Sequence, residues 1–190
     1  MTCVIGFVDH DIGMRYIAGD SDGYSDSAKT ALKSKKIFEK NNMLIGYCGS
    51  FRLGQLLEYV IDFPRKLKSK DELAYLVQEV VPMIRNCFNE SSDIEHETFS
   101  FLFVMESGAI FEVESNYQIM AHDRPYVAIG SGRDVADGYC YSVLKHEKEN
   151  DGLKLHKRNE DFLEEAIRCA SQFVPSVGGR VDVLSSKIKE

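Results

Sequence analysis

Apolar positions recur along this chain in two rhythms that change over in blocks. Thr2 to Val8 and Arg15 to Asp20 are strand-like runs separated by Asp9-His10-Asp11-Ile12-Gly13, whose polar residues and glycine suit a hairpin turn. A polar Gly/Ser/Asp stretch from Ser21 to Ser27 follows. Lys36 to Glu39 and Met43 to Cys48 then read as a second strand pair joined by Lys40-Asn41-Asn42, so four short strands are expected before any helix. Leu53, Leu56, Leu57, Val60 and Ile61 recur at helical spacing, as do Leu73, Leu76, Val77, Val80, Val81 and Ile84, with Pro64 between the two sets. Phe99 to Met105, Ala109 to Val113 and Tyr117 to Ala121 return to sheet as a meander, split by Glu106-Ser107-Gly108 and Glu114-Ser115-Asn116. Tyr126 to Ile129 is one more strand, and it runs through Gly130-Ser131-Gly132 into a helix marked by Val135, Tyr139, Val143 and Leu144. A further helix from Phe162 to about Phe173 and a closing strand from Val181 to Leu184 complete the pattern. Blocks of strands alternating with blocks of helices predict an α+β fold, a four-layer αββα sandwich of two antiparallel sheets covered by helices, and fit parallel βαβ winding poorly.

Length and charge narrow this picture. At 190 residues, with 44% hydrophobic and 28% charged positions, the chain is expected to form a single domain spanning residues 1–190. A net charge of −7 without a basic face argues against a nucleic-acid partner. The mixed-sign run from Lys145 to Arg158 reads as a solvated connection between helices, and the polar stretch from Ser91 to Glu97 as a loop. The start resembles no signal peptide and no apolar stretch approaches membrane-spanning length, so a cytoplasmic protein without a membrane partner is expected. Cys3, Cys48, Cys87, Cys140 and Cys169 lack CxxC spacing, which indicates neither disulfides nor a metal site.

Five elements carry candidate chemistry. Once Met1 is removed, Thr2 would place a hydroxyl beside a free α-amine, whose reference pKa of roughly 7.7 to 8.0 suits a general base, so one residue could supply both nucleophile and base. Asp20 ends the second strand, where hairpin pairing brings a carboxylate to the N-terminus, and Lys36 opens the third. An ammonium near the threonine favours its alkoxide, and a carboxylate near both keeps the lysine charged. Gly46-Tyr47-Cys48-Gly49-Ser50 and Ile129-Gly130-Ser131-Gly132 lie at strand-to-helix turns, where backbone N–H groups can approach an oxyanion. Taken singly, each has an ordinary reading: a first-strand residue, a turn aspartate, a strand-end lysine, and a helix cap at Ser131.

In this order the five elements resemble the catalytic β-type subunits of the proteasome family, the HslV-type protease above all. That family of N-terminal-nucleophile hydrolases begins its first strand with Thr, ends the second with Asp, opens the third with Lys before a hydrophobic pair, and carries a Gly-rich turn and a later GSG. Thr2, Asp20, Lys36 before Ile37-Phe38, Gly49 or Ser50, and Ser131 fall on those places. The resemblance covers roughly the first 60 residues and the region 126–145. It implies that Thr2 is the nucleophile, that Asp20 and Lys36 set its protonation, that Ser131 supports the amine, and that the N–H of Gly49 or Ser50 donates to the oxyanion. Lys35 is the competitor for the lysine role.

The resemblance further implies a cofactor-free threonine peptidase acting on peptides or unfolded proteins, a homo-oligomeric ring, and a possible ATP-dependent unfoldase partner. Thr2 directly after Met1 implies no longer propeptide, and the lack of a long N-terminal helix argues against the α-type subunits. Two features depart from the pattern: the Thr2-to-Asp20 spacing is longer, and Phe173-Val174-Pro175-Ser176-Val177-Gly178-Gly179 keeps a Ser without the family's matching Asp. A non-catalytic assembly protein and an amidohydrolase acting on a small-molecule amide are the alternatives.

Overall fold

The computed structural model describes residues 2–25, 28–67, 69–90, 98–150 and 152–189. Met1, the Ser91–Glu97 stretch and the end of the Ser21–Ser27 stretch lie outside them. Strands β1 (Val4–Asp9) and β2 (Met14–Asp20) form the expected N-terminal hairpin, with Val4 opposite Gly19 and Asp9 opposite Met14. They occupy the centre of an antiparallel four-stranded sheet of order β10-β1-β2-β11, with β10 at Tyr126–Ile129 and β11 at Val181–Lys187. The second sheet is a five-stranded antiparallel meander of β5 (Ile37–Lys40), β6 (Met43–Gly49), β7 (Phe99–Val104), β8 (Ile110–Glu114) and β9 (Ile119–His122).

Both faces of each sheet are covered, which explains the continuous apolar runs in the central strands. On β1 the alternation splits the residues between two cores. Ile5 and Phe7 pack outward with Cys140, Phe162, Leu163 and Ile167 of α4 (Arg133–Glu149) and α5 (Asn159–Phe173), whereas Val4 and Val8 face Leu44, Leu102 and Val104 across the sheet interface. The outer face of the five-stranded sheet carries Ile45, Tyr47, Phe101 and Phe103, packed against Leu53, Leu57, Leu76, Val80 and Ile84. The layers are therefore helix, sheet, sheet, helix, as the sequence pattern predicts. Among the described residues, no helix is long and apolar enough to cross a membrane.

Four local features differ from the sequence expectation. The stretch after Asp20 forms a ribbon, β3 (Asp22–Ser25) paired with β4 (Ala28–Ala31), so among the described residues six strands precede the first helix rather than four. All four residues of β4 are exposed, and a strand without a buried face leaves no hydrophobic alternation to read. After α1 (Phe51–Tyr59), the second helical segment runs as α2 (Glu72–Tyr75), a π-helical turn (Leu76–Val80) and α3 (Val81–Glu90). The Val81 N–H reaches back to Leu76 O just before Pro82, which has no N–H to continue an ordinary helical ladder. Helix α4 extends through Glu149, so the first part of the Lys145–Arg158 run is helical, and the buried Glu147 accepts a hydrogen bond from Leu155 N. Strand β11 continues through Ser185, Ser186 and Lys187, polar residues held in register by β2.

The fully buried Arg15 ties the layers together at one end of β2. Its Nη1 donates to Asn42 O (2.6 Å) and Val104 O (2.8 Å), and its Nη2 to Ser186 Oγ (3.4 Å). The opposite end of the same hairpin is where the candidate residues gather.

Candidate functional site

Thr2 lies two residues ahead of β1 and is buried at 2% exposure. Its carbonyl accepts hydrogen bonds from Gly132 N (3.3 Å) and from Ser131 Oγ (3.4 Å). The Gly130-Ser131-Gly132 turn therefore sits directly on the residue expected to be the nucleophile. The approach is close: a Cβ added to Gly130, whose φ is +90°, would lie 2.2 Å from Thr2 O. The same added Cβ would lie 3.3 Å from Cys48 Cβ, so the end of β6 meets the turn and Thr2 at one point.

Asp20 ends β2 opposite Cys3, the residue after Thr2. Its Oδ1 accepts from Cys3 N and from Lys36 Nζ, both at 2.9 Å, and its Oδ2 from Gly178 N at 3.1 Å. Lys36 Nζ also donates to Asp22 O at 2.6 Å, and neither side chain of the Lys36–Asp20 pair is exposed. Lys35, the competitor, has a half-exposed side chain 3.9 Å from Asp182 and stands apart from this cluster. Of the two, Lys36 is the one bonded within this buried cluster.

Burial pushes the Lys36 ammonium below its ordinary value of 10.5, while the charge and hydrogen bond of Asp20, and Asp22, act in the opposite sense. Between that lowered value and 10.5 the unfolded chain binds more protons than the folded one, so this group makes stability rise with pH across the window. A variant lacking the pair, Lys36→Met with Asp20→Asn, escapes the penalty below the window. Its stability relative to the native protein is expected to shrink as pH climbs toward 10.5, read from denaturant midpoints at stepped pH. A gap that stays constant with pH contradicts this reading.

Ser131 does not cap the helix that follows. Gly132 is the N-cap of α4 and no side chain caps it; Ser131 Oγ instead lies 3.1 Å from Ser176 Oγ as well as near Thr2 O. Gly49 is the last residue of β6, with φ +95°, and an added Cβ would lie 2.1 Å from Thr98 O, so only glycine fits this turn. Ser50 is the N-cap of α1, without a side-chain bond to the helix. Burial pushes the neighbouring Cys48 thiol up to about 11, which keeps it protonated at neutral pH.

A cavity of about 410 Å³ lies next to this cluster, lined by Gly23, Tyr24, Thr30, Leu32, Ser34, Phe51 and Gln55. Phe51 connects the two, its ring centroid 5.8 Å from Lys36 Nζ. One wall of the cavity is built by the β3–β4 ribbon, whose first strand falls in the polar Ser21–Ser27 stretch, and another by Phe51 and Gln55 of α1. Sequence reasoning also missed the Gly178 N–H and the Asp22 carbonyl, both backbone groups that side-chain identity does not announce. Ser176 was visible only as a serine before Gly178-Gly179, and its partnership with Ser131 depends on the fold.

No protein-family model matches the chain, and no curated protein matches it. Solved structures do. BPH of Thiobacillus denitrificans, solved in complex with epoxomicin, superposes with a TM-score of 0.75 at 17% identity over 100% of both chains. A eukaryotic HslV from Trypanosoma brucei gives 0.68 at 16% identity, covering 98% of this chain and 99% of that one. Anbu from Hyphomicrobium sp. strain MC1 gives 0.64 at 14% identity, covering 98% and 82%. At these identities the likeness is one of fold: the chain has the proteasome-like N-terminal-nucleophile architecture.

Proposed function

We propose that the chain is a threonine-type peptide hydrolase. The observation that carries this reading is the fully buried Lys36–Asp20 pair, whose carboxylate accepts from the N–H of Cys3, the residue after Thr2. Burying two charges is expensive and seldom adds stability, so a pair kept at the one residue able to act as an N-terminal nucleophile points to chemistry. In this reading Met1 is removed and the freed α-amine of Thr2 takes the proton from Thr2 Oγ as the oxygen attacks a peptide carbonyl. Lys36 favours the developing alkoxide, Asp20 holds Lys36 charged and placed, and Ser131 with Ser176 steadies the amine side. The backbone N–H of Gly49 donates to the oxyanion. The tetrahedral intermediate collapses to an acyl ester on Thr2, and the departing amine takes the proton. Water, deprotonated by the same α-amine, then hydrolyses the ester and restores the hydroxyl.

The epoxomicin complex of the Thiobacillus protein and the HslV and Anbu folds support this assignment, along with assembly into a ring whose sites face an inner chamber. Peptides or unfolded chains would be the substrates, and an ATP-dependent unfoldase a possible feeder.

Tyr24, Leu32 and Phe51 give the adjoining cavity apolar walls suited to an apolar side chain on the acyl side of the cleaved bond. Fluorogenic peptides with leucine or phenylalanine there should be cleaved. Leu32→Asp should lower kcat/KM for them by about tenfold to a hundredfold while Thr2 stays reactive. Failure of the native protein to cleave any such peptide would oppose the proposal.

A further inference from the structure

We infer that Glu112 and Arg133 form a positioning strut that holds the Ser131 turn against Thr2; this rests on the hydrolase reading above. Glu112 lies on β8, in the other sheet from Thr2, and is 2% exposed. Its Oε1 accepts from Ser100 Oγ at 2.8 Å and from Arg133 Nη1 at 3.2 Å, and its Oε2 lies 3.2 Å from Arg133 Nη2. His122 Nε2 is 3.5 Å from the same Oε2. One charge-assisted hydrogen bond, Nη1 to Oε1, with the second guanidinium nitrogen at ion-pair distance from Oε2, ties Arg133 to a carboxylate that Ser100 also holds.

The position of Arg133 gives this contact its meaning. Arg133 is the first residue of α4, directly after Gly132, and its own N–H closes the turn onto Gly130 O at 3.1 Å. The Gly132 N–H and the Ser131 Oγ bond the Thr2 carbonyl. Glu112 itself is fixed in the meander, opposite Leu102 on one side and Met120 on the other. The path from β8 through Arg133 and the turn to Thr2 is thus continuous, and it spans the two sheets at the site. Loosening it displaces the groups around the nucleophile without touching Thr2, Asp20 or Lys36. Neither Glu112 nor Arg133 contacts the reacting atoms in this scheme.

The test is the kinetics of covalent labelling by epoxomicin, resolved into a maximal rate and a half-saturation concentration and normalised to the folded fraction by circular dichroism. Glu112→Gln and Arg133→Met are each expected to lower the maximal rate by about tenfold to a hundredfold with half-saturation unchanged. The double variant should be no slower than the slower single, because the two residues act as one unit. If either single variant fails to fold, Ser100→Ala decides: it keeps the ion pair, removes one bond to Glu112, and should slow labelling about threefold. Native labelling rates per folded molecule, or losses that multiply in the double variant, overturn the strut. A native protein that takes no label at all removes the hydrolase reading instead, and the strut with it.

Discussion

Replacing Lys36 by Met together with Asp20 by Asn is expected to abolish peptide hydrolysis as completely as Thr2→Ala, by about four orders of magnitude. The protein should nevertheless stay folded. Asp20 and Lys36 are fully buried and paired at 2.9 Å, and the attraction between such charges seldom exceeds the penalty of taking both out of water. Removing both leaves no unpaired buried charge, so the double variant is expected to lose less stability than Lys36→Met alone. The asparagine amide oxygen can still accept from Cys3 N, as Asp20 Oδ1 does now, while the amide nitrogen in the place of Oδ2 leaves Gly178 N without its acceptor. Lys36→Met alone should behave differently, destabilising by about 3–5 kcal/mol because it strands the Asp20 carboxylate without its countercharge. Thermal denaturation beside peptide turnover separates these outcomes. A double variant that keeps activity would show that the pair is structural.

The second large effect is expected at Gly130. Alanine there must carry its Cβ at φ +90° and within 2.2 Å of Thr2 O, with Thr2 C at 2.9 Å, so backbone has to move. Gly130→Ala should destabilise by more than about 3 kcal/mol, and any folded remainder should lose activity because the displaced atoms belong to Thr2. Gly138 is the internal control. It lies inside α4 with open space around its Cβ position and an ordinary φ, so Gly138→Ala should stabilise by about 0.5–1 kcal/mol and leave activity unchanged. Equal, small effects of the two substitutions on denaturation midpoints would contradict the close approach of the turn to Thr2.

The layered fold was legible because both faces of its central strands are buried. Thr2–Val8 and Met43–Cys48 read as strands from their apolar runs, found as Val4–Asp9 and Met43–Gly49, and the five apolar positions from Leu53 to Ile61 read as a helix, found as Phe51–Tyr59. The β3–β4 ribbon was not legible, since Ala28–Ala31 is exposed and is held by backbone pairing with Asp22–Ser25. Much of the site's arrangement could be anticipated because Thr2, Asp20 and Lys36 lie at ends of the first strands, where hairpin pairing alone brings the first two together. Lys36, which directly precedes Ile37-Phe38, is buried, whereas Lys35 is half-exposed beside Asp182. What sequence could not supply are contacts made by backbone atoms or across long separations, such as Gly178 N to Asp20 and Glu112 to Arg133. Their partners are set by the stacking of the two sheets and by the loop that leads into β11, and no local periodicity encodes either.

The intact mass of the purified protein, taken before and after incubation with epoxomicin and compared with Thr2→Ala, bears most directly on whether this fold is a working hydrolase. Thr2 acting as a processed nucleophile requires the mass of Met1 to be missing and one inhibitor molecule to be added covalently, with no addition in Thr2→Ala. Retained Met1 together with an unmodified native protein would contradict it, leaving a proteasome-like fold that serves assembly without catalysis.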